Sequence, residues 1–250
     1  RELMKLKAGQ SGMVPGYYPK LIMNDHLVDI TYSPLQTTIK HQHDHQLKSN
    51  LWLIGEADRI RNNRLKNFYG AEGNKSRVKI IMDATKFVRS YAKTPCQYHK
   101  GMYIYGATGR GKTYFLSALA NELANDQFQV TLLNFPIFTV KLKAEIRNDG
   151  TLPIIRNVEK SQILMIDDLG ADSRSPWIRD DVLAIILEYR MQHRLSTFFS
   201  SNLSMDRLGR DYLGTNGNGT VEPLKADRIM SRIEFLADEY QLLGKDLRNR

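Results

Sequence analysis

Apolar positions recur along this chain with two periods, and the change from one period to the other divides it into short buried strands and amphipathic helices. Residues 102–105 form a short apolar run. After a glycine-rich turn, Phe115, Leu116, Leu119 and Leu123 follow at spacings of three and four, which marks a helix. Residues 129–135 read as a second buried strand, and 136–147 and 153–160 as two helices. Residues 161–168 are an apolar run ending in two carboxylates, as expected of a parallel strand covered on both faces. Residues 177–193 form an amphipathic helix with Ile178, Val182, Ile185, Ile186 and Tyr189 inward, and 197–202 form a further strand. Residues 209–222, rich in Gly, Asn and Thr, read as a mobile loop, 224–240 as a last helix, and 241–243 as a short strand. This βαβ alternation predicts an α/β fold, a parallel sheet flanked by helices, with ligands at the carboxyl ends of its strands.

Upstream the pattern is less regular. Ile81, Ala84, Phe87, Val88 and Tyr91 predict a helix over 78–92 that packs beside the sheet. Residues 51–64 read as a helix, 65–69 (LKNFY) break it, and 70–76 form a loop. Before them Gly9, Gly12, Pro15, Gly16, Pro19 and Pro34 interrupt periodicity, and only 27–32 reads as a short strand. The expected division is a small irregular N-terminal accessory segment and linker over 1–50, followed by one α/β domain over 51–250.

The turn between the first strand and helix carries the chemistry. Gly106, Ala107, Thr108, Gly109, Arg110, Gly111, Lys112 and Thr113 satisfy GxxxxGK[ST] at every fixed position, and Tyr114 continues the nucleotide-binding set into the helix. In such a P-loop the glycines let backbone N–H groups curl around phosphates, Lys112 reaches the β and γ oxygens, and Thr113 offers its hydroxyl to Mg²⁺. The helix points its positive end at the same phosphates. Asp167 and Asp168 close the strand 163–166, the layout of a Walker B element. Asp167 is then the Mg²⁺-side carboxylate, and Asp168 orients or deprotonates the attacking water. Asn202, at the end of the next strand, can offer an amide to the γ-phosphate or that water, although Asn commonly ends strands. Arg228 and Arg232 share one face of the last helix; from spacing alone a solvated basic face is the favoured reading. ATP and Mg²⁺ are the expected cofactors.

Composition narrows the class. A chain of 250 residues with 42% hydrophobic content can bury one full α/β core plus an appendage. Its net charge of +9 suits a polyanionic partner or simple solubility equally. A single cysteine, Cys96, excludes an internal disulfide and a cysteine zinc cluster and points to a reducing cytoplasm. No apolar run approaches membrane-spanning length, and RELMKLKAGQ lacks a signal peptide's apolar core. The start at Arg1 rather than Met reads as a fragment. His41, His43 and His45 share one face if extended, but a solvated linker is the favoured reading over a metal site.

GMYIYGATGRGKTYFLSALANELA, ILMIDDLGADSRSPWIRDDVLAIILEYR, TFFSSN and ADRIMSRIEFLA, in this order, resemble the AAA+ domain of bacterial replicative helicase loaders of the DnaI and DnaC type. The likeness covers about 65–250, and GYYPKLIMNDHLVDITYSP is similar to the segment preceding that domain in DnaI-type members. The resemblance implies loading of a DnaB-type replicative helicase during primosome assembly and replication initiation, with ATP hydrolysis, single-stranded DNA binding and self-association through ATPase interfaces. It makes Asn202 the sensor-1 residue, Arg232 the arginine finger given to a neighbour and Arg228 its companion. It places LKNFY beside adenine and a DNA-facing helix at Lys141, Lys143 and Arg147. The sequence departs from the family at Leu35, where a cysteine is expected, and carries Asp168 where wider AAA+ proteins have Glu. It also leaves no room for a C-terminal helical lid, so weak nucleotide retention is expected. An IstB-type transposition helper ATPase and a non-hydrolysing ATP-binding adaptor are the alternative readings.

Overall fold

A computed structural model describes residues 14–24, 27–38, 49–55, 60–69, 74–146, 150–215 and 219–247. The chain divides into two compact units, Arg1–Ser49 and Asn50–Arg250. In the first, β1 (Tyr17–Asn24) and β2 (Leu27–Pro34) form an antiparallel hairpin in which Leu21 faces Ile30 and Tyr18 faces Ser33. The sequence reading found only part of β2. Pro19 and the apolar residues on both faces of β1 hide the period-two alternation that would mark a strand. His41, His43, His45 and Arg147 lie outside the described residues.

The second unit is a six-stranded parallel sheet in the order β3-β5-β6-β7-β4-β8. These strands are β3 (Leu51–Ile54), β4 (Gly101–Tyr105), β5 (Val130–Asn134), β6 (Ile163–Leu169), β7 (Thr197–Ser201) and β8 (Ala237–Gln241). On one face lie α1 (Lys75–Lys93) and α2 (Lys112–Asn125), which bury Ile80, Ala84, Phe87, Phe115, Leu116 and Leu119. On the other lie α3 (Phe135–Glu145), α4 (Thr151–Lys160), α5 (Ala184–Gln192) and α6 (Pro223–Leu236) around Phe138, Val158, Leu183, Ile186, Phe199 and Ile233. Burial on both faces explains why β6 and β7 read as continuous apolar runs. Among the described residues, no helix is long and apolar enough to cross a membrane.

Three stretches differ from the sequence reading. Residues 51–54 are a strand rather than the start of a helix: Leu51 and Ile54 are buried, and the run pairs with Val130–Leu133. A short apolar run carries no period long enough to separate the two states, so the open edge of β5 decides it. Leu65–Tyr69, expected as a break, is a 3-10 turn. The last helix stops at Leu236 because Ala237–Gln241 pairs along β4, earlier than the expected strand at 241–243. Part of the expected 209–222 loop is helical, with Leu208, Tyr212 and Leu213 buried against the core, and π-helical Ile178–Leu183 leads into α5.

Arg190 is fully buried and acts as a polar staple. Its Nε donates to Thr197 Oγ1 at 2.7 Å, and its terminal nitrogens donate to the carbonyls of Glu159 (3.0 Å), Ser161 (2.7 Å) and Ser196 (2.7 Å). It thereby caps the end of α4 and fixes α5 beside the entry to β7. Arg190→Met keeps the apolar stem but leaves those carbonyls without their donor. The expected cost is about 2–4 kcal/mol, read as a lowered urea midpoint at unchanged slope.

Candidate active site

The cleft lies where the parallel strands end, as the crossover rule requires. It holds about 470 Å³ and is lined by residues that include Phe68, Thr108, Lys112, Thr113, Tyr114, Asp168, Asn202 and Leu247. That volume falls within the roughly 300–1,000 Å³ usual for small-molecule sites. Its floor is the turn from β4 into α2. Gly111, at φ +89, occupies the left-handed position that caps α2, where a side chain would strain the backbone. The first turn of α2 therefore presents its backbone N–H groups to the cleft, a ready anion site.

Lys112 is 5% exposed, and its Nζ donates to the carbonyls of Gly106 (2.9 Å) and Ala107 (3.2 Å) and to Asn202 Oδ1 (2.7 Å). Asn202 thus reaches the cleft from the end of β7. Thr113 Oγ1 donates to Asp167 Oδ1 at 3.2 Å. Asp167 is buried behind it and also accepts from Ser200 Oγ at 2.5 Å. Burial, and then the charge of Asp168, push the Asp167 carboxyl up to about 6, against the hydrogen bonds from Ser200 and Thr113 and the charge of Lys112.

The pairing of β6 with β7 slips between Ile166 and Leu169. Asp168 takes a left-handed φ of +57 within that irregularity and turns from the sheet into the cleft. Ser200 Oγ accepts from the Asp168 N–H at 3.1 Å, and Asn134 Nδ2 donates to Asp168 Oδ2 at 3.4 Å. Asn134 also caps α3 through Ile137 N. Sequence reading missed Ser200 and Asn134; the signal was a polar residue at the carboxyl end of an otherwise apolar strand.

The other end of the cleft is aromatic. Phe68 is buried, stacks on Tyr114 at 6.2 Å, and carries the Arg77 guanidinium 4.6 Å from its ring centre. Arg77, also missed in the sequence, donates to the Arg110 carbonyl at 2.5 Å and so ties α1 to the P-loop. The Lys112 ammonium and the first turn of α2, with an aromatic wall in the same cleft, suit a phosphorylated aromatic ligand. The oxygen donors of Thr113 and Asp167 suit a hard cation such as Mg²⁺. Arg228 and Arg232 do not line this cleft. Arg232 pairs through Nε with Glu188 on α5 at 2.5 Å and donates to the Arg228 carbonyl at 2.8 Å.

Asp167 makes the ligand-free fold sensitive to pH. Its folded-state affinity for a proton exceeds the ordinary value of 3.8, so its contribution is fully present below about pH 4 and is lost as pH rises through about 6. Asp167→Asn should therefore raise stability at pH 8 by on the order of 2 kcal/mol, seen as a higher melting temperature, and change it little at pH 4. Thermal scans without nucleotide or Mg²⁺ check this.

A family description of the bacterial DnaA ATPase domain matches residues 62–203. The replicative helicase loader DnaI of Bacillus subtilis is 34% identical over 241 residues, which cover 96% of this chain and 75% of that protein. A crystal structure of DnaI superposes with a TM-score of 0.67 at 33% identity, covering 81% of this chain and all of the other. The protein y4pL of Sinorhizobium fredii, named for an insertion sequence and for ATP binding, is 30% identical over 151 residues, 60% of this chain and 57% of its own length. Sequence likeness to DnaI covers 96% of the chain and likeness of fold covers 81% of it, so the chain belongs to the DnaI family of replicative helicase loaders, built on a P-loop AAA+ domain.

Proposed function

We propose that this chain is an ATP-dependent loader of a DnaB-type replicative helicase in primosome assembly. The observation that carries the reading is the convergence of Lys112, Thr113, Asp168 and Asn202 on one cleft in a chain of this family. Residues 51–250 are read as the ATPase domain and 1–50 as an accessory segment. Gly106, Ala107, Thr108, Gly109, Arg110, Gly111 and Tyr114 shape the nucleotide cradle, and Lys112 exchanges its present carbonyl partners for the β and γ oxygens. Thr113 and Asp167 would hold Mg²⁺, which when bound neutralises phosphate charge. Asp168 orients the attacking water and takes its proton, while Asn202 fixes the γ-phosphate end. Arg232, with Arg228 beside it, acts on a neighbouring copy. Lys141 and Lys143, exposed on α3, are read as contacts for single-stranded DNA, and Arg147, the third basic residue of that reading, lies outside the described residues. Action on the chromosome makes the setting cytoplasmic.

The transposition-helper reading has less behind it, since likeness to y4pL spans a smaller share of the chain than likeness to DnaI. The deciding experiment measures capture by a hexameric replicative helicase against capture by a transposase, with ATP turnover in each case. Helicase capture with turnover that responds to helicase and single-stranded DNA is expected. Transposase capture alone would sink the loader reading, and ATP binding without turnover under every condition would favour the adaptor. Single-stranded DNA affinity must fall steeply with salt if phosphates supply it.

A further inference from the structure

After β8 the chain turns back across the P-loop. Leu242 N donates to the Tyr105 carbonyl at 2.7 Å, Leu243 N to Ser76 Oγ at 3.0 Å, and Leu247 N to the Gly109 carbonyl at 2.9 Å. The Leu243 carbonyl accepts from Asn74 Nδ2 at 2.6 Å, and Asn74 is the residue that caps α1. Residues 242–247 are thus stitched to the end of β4, the start of α1 and the P-loop itself. The approach is too close for side chains. A Cβ on Gly106 would stand 2.4 Å from the Leu242 carbonyl oxygen, and one on Gly109 would stand 2.1 Å from the Asp246 carboxylate. Gly106 and Gly109 therefore admit this segment as well as shaping a phosphate cradle.

The stitching sets Leu247 at a definite point. Its Cδ1 would lie 3.6 Å from a Cβ on Gly111, on the side where Phe68 Cε2 would lie 3.4 Å away, and it lines the cleft. Lys112, Thr113, Asp168 and Asn202 line the same cleft and supply its charged and polar groups. We infer that Leu247 is a nucleotide contact that closes the apolar slot with Phe68 and holds the base of an adenine nucleotide, so that the segment 242–247 supplies one wall of the site. The inference rests on the nucleotide-binding reading above and adds the residue that grips the end of the ligand away from the phosphates. A flat aromatic base laid against the Leu247 side chain beside Phe68, whose ring already carries Arg77 and Tyr114, loses apolar surface to water, whereas a bare phosphate chain gains nothing from Leu247.

The full chain with Mg²⁺ is titrated with a fluorescent non-hydrolysable ATP analogue, and inorganic tripolyphosphate is used as a competitor. Leu247→Ala is expected to weaken the analogue about five- to tenfold and to leave the tripolyphosphate constant within about twofold, while Leu247→Met stays near wild type. Thermal scans of each variant check that the domain remains folded. Equal losses for analogue and tripolyphosphate would overturn the proposal, because Leu247 would then be propping the P-loop rather than holding a base. Unchanged or tighter analogue binding would also overturn it, the second by making the segment a screen over the site. Binding of tripolyphosphate but not of the analogue by the wild-type chain would overturn it as well. Failure of the wild-type chain to bind either ligand would remove the nucleotide reading and this inference with it.

Discussion

Lys112→Ala abolishes productive ATP binding, with affinity falling by at least about a hundredfold, while the domain stays folded. The ammonium sits at the charged end of the cleft, with donors directed at two loop carbonyls and Asn202. Transfer of those donors to the β and γ oxygens replaces neutral acceptors with anionic ones, and charge-assisted bonds of that kind are each worth about 1.5–3 kcal/mol. Two of them account for the expected loss. The fold tolerates the change because alanine is a good residue for the first turn of α2, and the released carbonyls border a cleft that water can enter. A drop of only a few degrees in melting temperature is expected. Isothermal titration with ATP and Mg²⁺ measures the effect; affinity near wild type would withdraw the P-loop assignment.

Arg232→Ala, the second large effect, leaves ATP binding intact and slows turnover by about a thousandfold or more if the residue serves a neighbour's site. In a single copy Arg232 stays out of the cleft and pairs with Glu188, its side chain 21% exposed and that of Glu188 34% exposed. A pair this accessible to water is worth about 1 kcal/mol or less. An arginine finger contributes about a thousandfold or more in rate, so exchange of Glu188 for a neighbour's γ-phosphate is favoured once copies assemble. Asp168→Ala also binds ATP and fails in turnover, because the water-orienting group acts mainly in the transition state. Mixing the two variants creates some interfaces that pair an intact Asp168 with an intact Arg232 from the next copy. Partial recovery that increases with protein concentration is expected. Absence of recovery in a mixture shown by light scattering to assemble would return Arg232 to its own subunit or to a plain basic surface.

Much of this site is legible in the sequence because the phosphate-binding part is local. The P-loop is a contiguous run whose glycine spacing, lysine and flanking strand and helix meet one requirement, a backbone turn around an anion. Asp167, Asp168 and Asn202 are legible because they stand at the carboxyl ends of apolar runs, and parallel topology brings such ends together. Other features depend on partners distant in the chain. Residues 51–54 become a strand because β5 has an open edge, and helix α6 gives way to β8 because β4 has another. Ser200 and Asn134 acquire their contacts only when β5, β6 and β7 align, and the turn of Asp168 into the cleft comes from a slip in that pairing. Arg190 reads as one more charged residue on a helix, yet packing buries it among four carbonyl and hydroxyl oxygens from two segments, 159–161 and 196–197. The fold of residues 242–247 over Gly106 and Gly109 has no periodic signature at all. Local spacing sets what a residue can do to its near neighbours along the chain; which remote groups it meets, and at what burial, is set by strand order and edge pairing, which depend on the free energy of the whole sheet.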